Sequence, residues 1–512
     1  MIRSRTSRSL IGHPGRPVWL PIDRRTLVSP LALISALSVA NIAESQTLKP
    51  EIDWDGQYDT AIGWYPHAGF PPMCAASGQP SIAVSNGDVI HIAANFNYGT
   101  FQRDGTNVFQ EEIATFFGNG LLPSNFDIGT PELLYDDNNN RFITADGAWH
   151  VGTEQAWITV GTSAVQPPYA ATTDCTYKID ANLLPGAGPT NMYPTDVRIG
   201  HDADSIQITA NMHNFTDGKF QYSKLWVLPK SAIYNVPLHN CPLVSPNPSF
   251  VAWGFKMPDG TTASDVVPTK SYDASSSINY LLSSWSGHGT ELALWTLDTH
   301  QPSLSPGVTA ASVRTSAYVE PPTGVPQKGT TTPISTWGAQ LANGVYQPTS
   351  GLWTVHAVAC QPATNSSCFQ WFQLDPKNKA VVQSGVAGYS DASIYAPSVA
   401  VNKKGNAVFV YNSSGPNLYP SVDVMGRATS DPPNSLQATA WRIATGLGPY
   451  LRPGEALNAP GLRTSADTDP ANDDVLWTFG AYATGKSAMD CPNGQPNYDW
   501  ATHAAAFSFS GK

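Results

Sequence analysis

One short pattern recurs seven times beyond residue 50, and it limits the fold more than any other feature of the chain. Each copy is a run of alternating apolar residues, a polar turn, and a second run richer in aromatic and β-branched residues. The turns are Asn86-Gly87-Asp88, Asp136 to Asn140, His201 to Asp204, Asp273 to Ser277, Thr349-Ser350-Gly351, Asn402 to Gly405 and Thr468 to Asp474. The sixth copy is the plainest, with Pro397 to Val401 before its turn and Asn406 to Tyr411 after it. Period-two alternation around Asn-Gly, Lys-Gly or Asp-Asn turns is the signature of a β-hairpin. A further strand-like run usually follows, at 156–161, 224–229, 292–297, 369–374, 422–428 and 504–509. Successive copies start roughly 50 to 75 residues apart, longer than the roughly 40–50 of compact propeller repeats, which leaves room for long loops.

A hairpin repeated in one chain must bury the same face every time, and small sheets arranged radially do this while protecting their own edges. The expectation is therefore an all-β protein, a single β-propeller over 46–512, with seven blades favoured and six or eight as alternatives. A sandwich or a pair of sandwiches is the competing architecture. Composition argues the same way. Gly 42 and Pro 43 in 512 residues disfavour a mainly helical chain, because each costs a helix about 1 and about 3 kcal/mol respectively. Charged residues make up 13% and aromatics 10%, so there is ample apolar surface to bury and disorder is excluded. Residues 302–338, rich in Thr, Pro, Ser and Gly, are expected to be a loop insertion that supplies an outer strand and long loops of one blade, rather than a linker between domains.

Residues 1–45 carry Arg3, Arg5, Arg8, Arg16, Arg24 and Arg25 ahead of a broken apolar run from Leu27 to Ala43, and they read as an export signal. Arg24-Arg25 before Thr26-Leu27 fits a twin-arginine signal, with an ordinary Sec signal as the alternative. The small residues Ser38 and Ala40, or Ala43 and Ser45, offer cleavage points. The formal charge is −11, and beyond the leader 22 basic groups face 37 acidic ones. Such a body has no electrostatic grip on nucleic acid. No stretch reaches the apolar length of a membrane helix. A secreted or periplasmic monomer is expected. Six cysteines in an exported chain favour disulfides over metal ligation. Cys360 and Cys368 would staple a hairpin loop. Cys74, Cys175, Cys241 and Cys491 allow three pairings, of which 175–241 with 74–491 is preferred.

Three segments carry a family likeness: Tyr135 to Phe142, Lys224 to Lys230, and Ala396 to Ala407. The chain resembles secreted bacterial β-propeller proteins, the broad group that contains sialidase-like folds and several propeller polysaccharide lyases. The likeness covers about residues 50–510 and concerns the scaffold. Sialidase boxes of the form Ser-x-Asp-x-Gly-x-x-Trp and an arginine triad are not legible, since Ser465-Ala466-Asp467 begins such a box and then departs from it.

If the units are blades, the ends of their second strands reach one face. Those ends bring Asn95, Trp149, His150, Asn211, His213, Trp285, His288, Asn412 and Tyr482 into consideration. Imidazole, amide and aromatic groups around a channel mouth suit sugar hydroxyls and apolar sugar faces. His213 and His288, with His150 and Tyr482, are the candidate proton-transfer groups. Arg198 and Arg463 are candidates to hold a substrate carboxylate with paired hydrogen bonds. Trp149, Trp285, Asn95, Asn211 and Asn412 complete the expected binding set. Among the carboxylates, Asp146, Glu154 and Glu291 lie nearest this ring, which disfavours a paired-carboxylate glycosidase relative to a lyase. No cofactor is expected, with calcium near Asp467 and Asp469 as the best metal option and a transition metal shared by His150, His213 and Asp146 as a minor one. The expected function is binding of extracellular polysaccharide with lyase-type or glycosidase-type cleavage. The alternative is a non-catalytic lectin-like or protein-docking scaffold.

Overall fold

The structure, a computed structural model, describes residues 46–510 apart from 59–79, 88, 95–96, 119–120, 123–125, 130, 164–174, 187, 235–246, 302–303, 362–364, 452–455, 459–462 and 486–499. The expected export signal, Asn95, Cys74, Cys241 and Cys491 lie outside the described residues.

The strands fall into antiparallel meanders of four. The first runs from Pro80–Val84 out to Asn107–Glu112, and the second from Glu132–Asp136 to Cys175–Asp180. The third spans Met192–His201 to Phe250–Trp253 and the fourth Val267–Ser271 to Ala311–Val319. The fifth spans Leu341–Gln347 to Ala380–Ala387 and the sixth Ser393–Val401 to Trp441–Ala444. The seventh begins with Thr464–Thr468 and Val475–Ala483 and continues to Trp500–Ser510. Its outermost strand, Thr47–Tyr58, comes from the other end of the chain, with Thr47 opposite Ser510.

Apolar cores between neighbouring meanders order them in a closed circuit. Tyr98 packs with Phe142, Ile158 with Ile208, Val227 with Trp295, and Leu282 with Phe372. Trp371 then shares a core with Phe409, Val424 with Phe507, and Phe479 with Ile90 of the first meander. This is a β-propeller. The two-faced burial explains why second strands such as Ala407–Gly415 are buried along their whole length. Outer strands such as Phe250–Trp253 and Trp441–Ala444 are only four residues long, which keeps their open edges short.

Towards the hub, innermost strands approach one another. His201 lies beside Lys270, and Thr269, Lys270 and Ser271 pair in parallel with Gly344, Val345 and Tyr346. Glycine is needed here, since a Cβ on Gly200 would meet the Thr269 carbonyl oxygen and one on Gly344 would sit 2.8 Å from Thr269 Cγ2.

Cys360 and Cys368 form a disulfide across the hairpin between Gly351–Ala359 and Ser367–Asp375, as the spacing suggests. Cys175 is also disulfide-bonded. Closing so short a loop restricts the unfolded chain, so Cys360→Ser with Cys368→Ser should cost about 2.5 kcal/mol in urea unfolding.

The closing strand carries a titrating lock. His503, on Trp500–Ser510, is 3.0 Å from Asp55 Oδ1 and 3.2 Å from Asp53 Oδ2. Burial opposes the imidazolium, yet the two carboxylates outweigh it and raise its pKa. A pKa raised in the folded state adds stability that is fully present below the unfolded value, about 6.5, and is lost as pH climbs through the folded value. Amide exchange along Thr47–Tyr58 should therefore quicken from pH 6 upwards beyond its intrinsic rise, and His503→Gln should flatten that dependence.

Candidate functional site

In each meander the start of the innermost strand pairs with the end of the second. Pro80 lies opposite Ala94, Met192 opposite Asn214, Ser393 opposite Ser414 and Thr464 opposite Gly480. These ends therefore share one face, where two adjoining cavities open along the hub. Both are lined by Arg198, Ala342, Ser398, Arg463 and Thr464, so they form a continuous mouth and passage.

A bulge between Thr195 and Arg198 turns the arginine out of the regular ladder. The Arg198 side chain is half-buried and lines both cavities, yet among the described residues its guanidinium makes no hydrogen bond and no ion pair. Arg463, just before Thr464–Thr468, sits over the Trp337 ring with its guanidinium carbon 3.5 Å from the centroid, and its Nη2 is 3.6 Å from Asp196 Oδ1. Burial and the neighbouring Arg198 push its pKa down to about 9. A third of the Asp196 side chain stays exposed to the passage. Burial alone would raise its pKa, but Arg463 and Arg198 hold it low.

Deeper in the passage Glu132 accepts from the Ile199 N–H at 3.1 Å, and its pKa is raised by burial against the pull of Arg198 and Lys270. Behind Asp196, the Asn211 amide donates to Asp265 Oδ1 at 2.9 Å, while its own oxygen accepts from the Asp265 N–H and the Ser223 hydroxyl. Burial and the nearby Asp196 raise the Asp265 pKa. Asp196 and Asp265 both adopt left-handed backbone, φ 49° and 51°, which Asp tolerates better than most residues.

The roof comes from the Thr/Pro-rich segment. After Ala311–Val319 the chain crosses towards the sixth and seventh meanders, where Gln327 and Tyr450 exchange hydrogen bonds of 2.7 and 2.8 Å. Val325 and Ile334 sink into a small core with Tyr395 and Trp500, and Ile334 bridges to Asn458. The strap ends at Trp337, whose φ of 70° is a costly conformation for an aromatic residue. The anchored strap holds Trp337 in that geometry and thereby fixes Arg463.

The remaining candidates fall elsewhere on or beneath this face. Neither cavity is lined by a histidine. His213 shares an aromatic strip with Trp149, described below. His150 caps a short 3-10 turn through the Thr153 N–H. His288 opens an exposed strand start in the fourth meander. Trp285 donates its indole N–H to Asp259 at 3.4 Å. Tyr482 donates to Asp55 at 3.4 Å, and burial with that carboxylate raises its pKa. Asn412 is fully buried and ties the sixth meander to the Ala481 carbonyl of the seventh. Asn211 acts from behind, through Asp265.

Among the carboxylates expected near the mouth, Asp146 is fully buried within the second meander and its pKa is raised by that burial. Glu132 and Asp196 occupy the passage instead. Asp467 accepts from the Val84 and Thr468 N–H groups and the Tyr272 hydroxyl, each at 3.0 Å. Asp469 takes a two-pronged contact from Arg103 and a bond from the Trp477 indole. Both carboxylates are thus engaged by protein donors.

Glu132, Asp196, Asp265 and Trp337 were missed in the sequence. The pattern hydroxyl-Asp-Val does repeat, as Thr195-Asp196-Val197 within one inner strand and Ser264-Asp265-Val266 just ahead of the next, and that echo was the available signal.

No protein-family model matches the chain, and no curated protein sequence matches it. Similar solved structures include the phage phi92 endosialidase, at 10% identity and TM-score 0.39 over 92% of this chain and 70% of that one. An ulvan lyase of a polysaccharide lyase family is similar at 9% identity and TM-score 0.41, over 83% and 93%. The Dos1 propeller is similar at 10% identity and TM-score 0.35, over 82% and 76%. These likenesses concern the fold alone.

Proposed function

We propose that the protein is an exported, monomeric, seven-bladed propeller that binds an acidic extracellular polysaccharide at the hub mouth, with a uronate carboxylate seated on Arg198 and Arg463. The observation that carries this reading is the unpartnered Arg198 guanidinium facing both cavities. Glu132 and Asp196 feel its charge without contacting it, so its planar fork stays open to an incoming carboxylate. Trp337, one face of which carries Arg463, adds an apolar group to the lining of the mouth.

Binding is the core of the proposal, and cleavage is its extension. A lyase would need a base within reach of the carbon beside the held carboxylate, and Asp196 and Glu132 are the carboxylates that line the passage. Calorimetry of the purified protein against uronic-acid oligosaccharides, with parallel monitoring of ultraviolet absorbance from an unsaturated product, tests both parts. Binding without product is the result for a lectin-like module. Binding of neutral oligosaccharides in preference to acidic ones would remove the reading.

A further inference from the structure

We propose that the half-buried rings of Trp149, Tyr193, His213, Phe215 and Phe220 form a second binding surface, on which successive pyranose rings of the polysaccharide stack after leaving the mouth. The proposal rests on the reading of the mouth as an acidic-sugar site. Five rings from separate strands and turns converge on one side of the face. Trp149 and Tyr193 lie 5.2 Å apart between centroids, Tyr193 and Phe215 5.1 Å, Tyr193 and His213 5.7 Å, and His213 and Phe220 6.0 Å. All five keep part of their surface in solvent, unlike the fully buried core rings of Trp226 and Trp353. Trp149, Tyr193 and Phe215 pack their inner sides on the core between the second and third meanders, and the outer sides gathered in one strip with His213 and Phe220 offer a binding surface.

The strip is continuous with the mouth. Tyr193 precedes Asp196 by three residues on the same inner strand, about 10 Å at the usual strand rise. A chain held at Arg198 and running outward along this strand meets Tyr193 next. His213 has a defined part in this surface. Its Nδ1 lies 2.9 Å from the Gly218 carbonyl oxygen, which can only accept, so Nδ1 carries the proton. That bond holds the turn carrying Asp217 and Lys219 as a polar border, with the two side chains paired at 3.2 Å. Aromatic faces edged by a tyrosine hydroxyl, an imidazole and a charged turn fit a pyranose, which has an apolar C–H face and equatorial hydroxyls. His213 is thus a positioning and stacking residue of this surface.

The test is calorimetry of the full chain with oligogalacturonates from the dimer to the hexamer. In the unsubstituted protein the hexamer should bind roughly tenfold or more tighter than the dimer, the effect of stacking added rings. Phe215→Ala and His213→Ala should each reduce that gain to about threefold or less while leaving the dimer affinity unchanged. Arg198→Ala should weaken every length alike. Unchanged melting temperatures check that the variants fold, and Phe215→Tyr, which keeps a ring, should restore the gain. Equal binding of dimer and hexamer by the unsubstituted protein, or a hexamer affinity indifferent to Phe215→Ala, overturns the stacking surface and leaves the mouth reading standing. If no oligogalacturonate of any length binds, the mouth reading falls for this sugar and the surface with it.

Discussion

Arg198→Ala lowers the affinity for an acidic oligosaccharide about 30- to 100-fold and leaves the melting temperature unchanged. The size follows from losing a charge-assisted, two-pronged contact, worth about 2–3 kcal/mol when it forms in a water-poor site. The unchanged stability follows from two things: the side chain has no hydrogen bond or ion pair to lose among the described residues, and its lost pull on Asp196 and Glu132 is offset by the lost repulsion of Arg463. Removing the neighbouring charge also relieves Arg463, whose low pKa is partly the work of Arg198. Arg198→Lys should recover only part of the affinity, because an ammonium keeps the charge without the fork. Calorimetry at two salt concentrations and a thermal melt separate the two effects. Equal affinities for the two proteins would leave the mouth without a ligand-binding role.

Removal of residues 46–58 abolishes the monomeric fold. This segment supplies the outermost strand of the seventh meander and pairs along nearly the whole of Trp500–Ser510. Trp54 stacks on Phe101 at 5.2 Å and packs near Trp477, joining the seventh meander to the first. Leu48 enters the core between the sixth and seventh, and its N–H donates to the Gln437 side chain at 2.9 Å. Without the segment the buried strand Trp500–Ser510 becomes a long apolar edge open to other chains. Gel filtration should show aggregates, and circular dichroism should show no cooperative melt. A synthetic peptide of residues 46–58 added during refolding should restore a monomeric peak.

The fold was legible because hairpin turns are local. Asn402 to Gly405 with its flanking alternation announces two strands without any knowledge of the rest of the chain. Arg198 and Arg463 were legible as candidates, the first a charged residue on an apolar inner strand and the second just ahead of one, where burial demands a reason. The histidines show where local reading stops. The end of a second strand indicates which face a residue reaches, and His213 does lie on the face of the mouth. Its distance from the hub depends on how meanders pack side by side, which no turn encodes. Trp337 was hidden for a different reason. Its segment has no periodicity, and its position is set by anchors as remote as Tyr450 and Asn458. Asp196 sits in a bulge and Asp265 in a bend just ahead of its strand, where alternation fails and a carboxylate reads as turn chemistry.

The pairing of Thr47 with Ser510 has a bearing on how this chain is made. Partners so distant in sequence carry a large loop-closure entropy and form late. A nascent chain can complete its sheets one after another as they leave the ribosome, but it stays an open arc with two sticky flanks until the last strand is synthesised. That interval, rather than any weakness of the finished protein, is where chaperone dependence and aggregation during production should concentrate.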